Sequence, residues 1–223
     1  MRTQLKTTLT RMKRATLLAA VLAAAAGAAL LSGCSTSSGA PKNTMFDFGP
    51  AALPTTPLAA PAAGSAPIGA VVVTDVTGSA AFDNERMYYR LNYADALQSR
   101  AYTNSRWGAT PLQLITQRLK TRIAQTGAKV LTPTDASNGV AILRSEIDDF
   151  THSFDSASQS YGQLVLRASL FNQHKLVDQK TFSRKIPAAS ADAAGGARAL
   201  AAATDAVAAD INAWLATLPL PKQ

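Results

Sequence analysis

One cysteine, two histidines and an aromatic content of 6 % leave this chain poor in the residues that most chemistry needs. A lone thiol excludes an internal disulfide and a cysteine-built metal cluster. His152 and His174 have no third ligand type beside them, so both are expected as solvated residues at the ends of adjacent strands. Gly-x-Ser-x-Gly, Gly-x-Gly-x-x-Gly and a phosphate-binding loop are all missing from the sequence, and no nucleophile stands beside a plausible base. Glu146 and Asp148 share one strand face by the period of two, which a polar outer face explains. Asp148-Asp149 is no cation motif by itself. The chain is therefore expected to be no enzyme and to hold no metal.

What is present begins at the N-terminus. Arg2, Lys6, Arg11, Lys13 and Arg14 precede an Ala/Leu/Val run from Ala15 to Leu31, with no acidic residue among them. Basic segment, apolar segment and small residues, in that order, read as a bacterial export signal. The tetrapeptide Leu31-Ser32-Gly33-Cys34 resembles the lipobox of bacterial lipoproteins, whose cysteine is diacylated and becomes the acylated mature N-terminus. The resemblance implies that residues 1–33 are a signal peptide. It also implies that Cys34 carries a covalent diacylglycerol and an N-acyl chain of the palmitate type, with no other cofactor. The alanine-rich run is short and weak for a membrane span, which needs about 20 strongly apolar residues. Stable anchoring takes more than one acyl chain, and a triacylated cysteine meets that requirement. Ser35 stands where an aspartate would favour inner-membrane retention, so the same resemblance implies the periplasmic face of the outer membrane.

Loss of the signal changes the charge. The whole chain carries +8, from 22 Lys/Arg and 14 Asp/Glu. Taking away the five basic residues of 1–33 leaves 17 against 14, or +3. Binding to nucleic acid is rejected, because the high pI rests largely on a discarded segment.

Residues 34–67 read as a lipidated N-terminus and tether. Six of the eleven prolines fall there among Ala, Ser and Thr, a composition that buries too little to repay its ordering entropy. Fully extended, such a tether reaches on the order of 100 Å. Phe46 and Phe48 alternate before Gly49-Pro50, which predicts a short docking strand near 45–50, with a disordered recognition motif as the other reading. From Ile68 to residue 223 the pattern becomes that of one domain. The run 68–76 and the run 86–93 read as strands, followed by a short extended piece over 95–104. Thr110-Pro111 opens a helix with Leu112, Ile115, Leu119 and Ile123 inward, Arg118, Lys120 and Arg122 outward, and Gly127 as terminator. A brief strand at 128–131 precedes three strands over 140–186, expected as an antiparallel meander. An alanine-rich helix from about 189 to 218 closes the chain, with Leu200, Val207, Ile211, Trp214 and Leu218 on one stripe. These elements predict an α/β (α+β) two-layer domain. Its mixed, largely antiparallel sheet would be covered by the middle helix and the long C-terminal helix.

Between Tyr88 and Leu119 the letters become specific. Tyr88-Tyr89-Arg90-Leu91-Asn92-Tyr93-Ala94-Asp95, then Tyr102, Asn104-Ser105-Arg106-Trp107 and Pro111-Leu112 with its helix resemble the ABC-type transport auxiliary lipoprotein family. That is the group of the Pqi-C and Ymb-A lipoproteins. The resemblance implies an outer-membrane-anchored periplasmic subunit of a lipid-transport system. It would dock or receive an MCE-domain protein that spans the periplasm from an inner-membrane transporter, and a docking collar around a symmetric tube would call for a homo-oligomeric ring. The other reading left open is an assembly or pilot lipoprotein for a different outer-membrane complex. Tyr, Trp and Arg are the types enriched at interface hot spots, so Tyr88, Tyr89, Tyr93, Tyr102, Arg106 and Trp107 are the candidate partner contacts. Trp107 has a second reading, as a staple holding the helix to the sheet.

Overall fold

A computed structural model describes residues 43–51, 69–135 and 139–218. The export signal, Cys34 and most of the tether lie outside the described residues.

Three long strands organise the domain. Leu143, the small Ser145 and Ile147 are buried and alternate with exposed Arg144, Glu146 and Asp148, as a strand with one covered face requires. They belong to β7 (Ala141–Phe154), which pairs antiparallel along its length with β8 (Ser160–Asn172). The ladder slips once between Ile147 and Asp149, leaving Asp148 as a bulge. Leu164, Leu166, Ala168 and Leu170 of β8 are all fully buried, and each leucine contributes about 2 kcal/mol by leaving water. A two-residue turn, Gln173 and His174, connects β8 to β9 (Lys175–Pro187). Both turn residues have positive φ, 48° and 66°, as the primed turns of tight hairpins demand. The predicted meander is therefore present, with longer strands than the sequence pattern indicated.

The other edge of β7 is shared among short strands, all parallel to it. β2 (Ala70–Val73) pairs with Ala141–Leu143, β3 (Thr77–Gly78) with Glu146–Ile147, and β4 (Arg86–Leu91) with His152–Phe154. Beyond β2 lies β6 (Lys129–Leu131). Beyond β4 lies β5 (Asp95–Trp107), antiparallel, and then β1 (Thr44–Phe46), parallel to the end of β5 at Ser105–Trp107. The sheet is thus mixed, its long pairings antiparallel and its short ones parallel.

Two helices cover one face. α1 (Pro111–Ala124) starts with a capping box: the Gln113 amide donates to the Thr110 hydroxyl oxygen, and the Thr110 N–H to the Gln113 side chain. Such a cap is worth about 1 kcal/mol. Gly127, with φ +90°, ends it. α2 (Ala193–Leu215) begins at Asp192, whose carboxylate accepts the Gly195 N–H at 2.7 Å. It lies across β7, β8 and β9 and also packs on α1. Leu200, Val207, Ile211 and Trp214 are buried on its inner stripe as expected. Trp214 donates its indole N–H to Asp178 of β9 at 2.8 Å.

Arg118 departs from its expected outward place on α1. It is buried, and its guanidinium donates to the carbonyl oxygens of Phe48 and Gly49. The position lies one turn after Ile115, on the flank that the segment following β1 crosses. Phe48 completes the crossing by setting its ring edge-on to Trp107, at 5.7 Å between centroids, and 6.1 Å from Phe150.

Candidate docking surface

β4 and β5 form a ribbon whose turn is Asn92-Tyr93-Ala94. The Ala94 N–H donates to the Leu91 carbonyl, and Arg90 braces the turn by donating to the Ala96 carbonyl at 3.0 Å. Past this turn β5 is exposed from Asp95 to Ala101. Leu97 is 92 % exposed and Tyr93 52 %, two large side chains left in solvent on one ribbon. Among the described residues, β1 covers the outer edge of β5 only at Ser105–Trp107. No described strand pairs with the outer edge of β5 from Asp95 to Asn104, so another extended chain can pair there, although the Leu97 N–H already donates to the Asp95 carboxylate and the Ala96 carbonyl accepts from Arg90.

The six candidate contacts divide into three environments. Tyr93 and Arg106 are exposed on the ribbon. Tyr88 is half-buried on β4. Tyr89 and Tyr102 are half-buried with ring centroids 4.6 Å apart, and Tyr89 also meets Phe154 edge-on at 5.9 Å. Trp107 is 1 % exposed and packs on Phe48 and Phe150. A buried ring offers no area to a partner, and its aromatic neighbours are Phe48, just after β1, and Phe150 of β7. Sequence reasoning missed Leu97 because the strand was expected to be short. An uninterrupted stretch without Gly or Pro from Asp95 to Trp107 was the available signal.

His152 is the larger surprise. Expected as a solvated strand end, it is fully buried within β7, because β7 continues past Phe150 and α2 begins directly above it. Nδ1 lies 2.9 Å from the Tyr102 hydroxyl, and Nε2 has no hydrogen-bond partner among the described residues. Burial pushes the imidazole down to about 4, only partly opposed by the Asp192 carboxylate, so it is neutral at ordinary pH. Burial pushes the Tyr102 hydroxyl upward, helped by Tyr89 and Asp192. The two form a neutral hydrogen-bonded pair. His174 stays exposed in the β8–β9 turn, at the far end of that hairpin from Gly162, the residue opposite His152. The expected adjacency of the two histidines is therefore not found.

The acidic residues of β7 have structural partners. Arg167 reaches Glu146 at 2.5 Å and Asp148 at 3.9 Å, while Asp149 accepts from Thr151 and Gln163. Among the described residues no cluster of three or more His, Cys, Asp or Glu could hold a metal, and no helix is long and apolar enough to cross a membrane.

The family model of the ABC-type transport auxiliary lipoprotein component matches residues 52–212. No curated protein matches the chain significantly. Among solved structures, a protein of the DUF330 family from Xanthomonas campestris (XCC0632) superposes with a TM-score of 0.59 at 17 % identity. That match covers 70 % of this chain and 88 % of the other. The structure of an uncharacterized protein gives a TM-score of 0.56 at 14 % identity, covering 66 % of this chain and 92 % of that one. At such identities these likenesses establish the shared fold.

Proposed function

Because the chain belongs to the ABC-type transport auxiliary lipoprotein family, we propose that it serves as the outer-membrane-anchored docking subunit of a lipid-transport system and meets an MCE-domain protein through the β4–β5 ribbon. The observation that carries this reading is the ribbon itself, with Leu97 and Tyr93 held out in solvent beside a strand edge that no other described strand pairs. Exposed apolar side chains flanked by a free edge cost solubility unless something covers them. A lipid on Cys34 and a Pro/Ala-rich tether would let the domain stand off its leaflet and reach a partner in the periplasm.

The test is capture from envelope extract on the full-length chain, identified by mass spectrometry, beside a Leu97→Asp variant. Enrichment of an MCE-domain protein that disappears with Leu97→Asp supports the proposal. Recovery of a secretin or another pore protein in its place transfers the chain to the pilot-lipoprotein reading.

A further inference from the structure

The β4–β5 ladder loses register at its base. Arg86 lies opposite Arg106, whereas Tyr88 lies opposite Ala101, so two steps on β4 face five on β5. Residues 102–105 are left over as a wide bulge, a device found beside functional sites. A groove opens there, lined by Arg86, Arg106, Thr103 and Ser105, with Glu85 on its wall.

Two guanidinium groups directly opposite each other on paired strands repel. Both are exposed, and among the described residues neither has a carboxylate within ion-pair distance. All other arginines described have a partner. Arg90 binds a carbonyl, Arg100 binds Gln98 and Arg198 binds Ser190. Arg144 lies over Phe171, and Arg118, Arg122, Arg167 and Arg184 face acids. Nearby polar groups are already committed: Asn84 bonds Ala80, Ala81 and the Arg86 N–H, and Thr110 caps α1. The hydroxyls of Thr103 and Ser105 make no hydrogen bond to another described residue. Two guanidinium forks without an acid and two free hydroxyls in one groove supply the donors that a phosphate group accepts. The single charge of Glu85 leaves the groove net positive.

We propose that the Arg86–Arg106 groove binds a phosphate group, supplied either by a soluble phosphate ester or by a phospholipid headgroup. The site lies at the base of the ribbon, away from Leu97, and stands whether or not the ribbon docks an MCE-domain protein.

Calorimetric titration of the full-length chain in non-ionic detergent micelles tests this. The probes are sn-glycerol 3-phosphate, and micelles doped with phosphatidylglycerol or left undoped. Arg86→Ala and Arg106→Ala should each weaken binding roughly tenfold or more, with Arg100→Ala unchanged. Binding of both probes assigns the groove to the phosphate group itself, and binding of the doped micelles alone assigns it to the lipid headgroup. The fold has its own readout: relieving the like-charge pair should leave Tm equal or higher, and glycerol phosphate should raise Tm of the parent only. Should an alanine variant unfold, Arg106→Gln, which keeps the apolar stem, is titrated in its place. Binding that is absent for both probes, or that survives loss of both arginines, overturns the proposal.

Discussion

The hydroxyl of Tyr102 on β5 lies 2.9 Å from Nδ1 of His152 on β7, and this bond ties the ribbon to the centre of the sheet across the intervening β4. Phe154, 4.4 Å from the imidazole by centroid, and Tyr89 complete the cluster. Above it the first turn of α2 approaches so closely that Gly196 has no room for a side chain. Ribbon, sheet and helix start therefore share one buried joint.

That joint makes stability depend on pH. The folded imidazole titrates at about 4 and the unfolded one near 6.5, so above pH 6.5 neither state takes up the proton and the contribution is intact. Between 6.5 and 4 only the unfolded chain binds it, and stability falls by at most about 1.4 kcal/mol per pH unit. Below pH 4 this group adds no further loss. Urea midpoints across that range should show the slope in the parent and lack it in His152→Gln. An identical slope in both would remove His152 as its source.

Glycine substitutions at the joint should run against the usual trend. In an open helix Gly→Ala gains up to about 1 kcal/mol, but a Cβ at Gly196 would overlap the His152 ring. One at Gly162 would come within 2.6 Å of the Leu200 backbone nitrogen. Gly196→Ala and Gly162→Ala should each destabilise by about 1–3 kcal/mol, the range for an overpacked core, measured by denaturant unfolding. A neutral result would mean that α2 can lift from the sheet.

Trp107→Ala should act on stability. The ring is enclosed by Phe48 and Phe150, and truncating a buried aromatic costs about 3–5 kcal/mol. Unchanged thermal unfolding would contradict the packing described for β5.

Leu97→Asp should do the opposite, leaving Tm within the small range of surface changes, about 0.5 kcal/mol, because the side chain is almost wholly exposed. Its effect should appear in partner capture. A large fall in Tm would show that Leu97 is covered in the protein as it exists.

Phe48→Ala or Arg118→Met should loosen β1. Three residues pair with β5, and the crossing depends on the Phe48 ring and on the Arg118 donors to the Phe48 and Gly49 carbonyls. Loss of a charged donor to these part-buried carbonyls costs about 1–3 kcal/mol. Hydrogen exchange at Met45 and Phe46 should accelerate while the α2 amides stay protected. Exchange that accelerates uniformly would instead indicate global destabilisation.

Local chemistry in the sequence sufficed for much of this protein. Thr110-Pro111 and Gly127 bound α1, the alternation Leu164, Leu166, Ala168, Leu170 defines β8, and the stripe from Leu200 to Trp214 defines α2. Those signals are short-range: caps, turns and periodic burial follow from neighbours within a few residues. Letters from Tyr88 to Leu119 were enough for the family as well. Which tyrosines are covered, and where Arg118 and His152 lie, depended on long-range contacts. His152 is buried because a helix that starts about forty residues later sits on it, and Arg118 because the segment following β1 crosses α1. The bulge that sets Arg86 against Arg106 arises from pairing between strands, which no periodicity within either strand encodes.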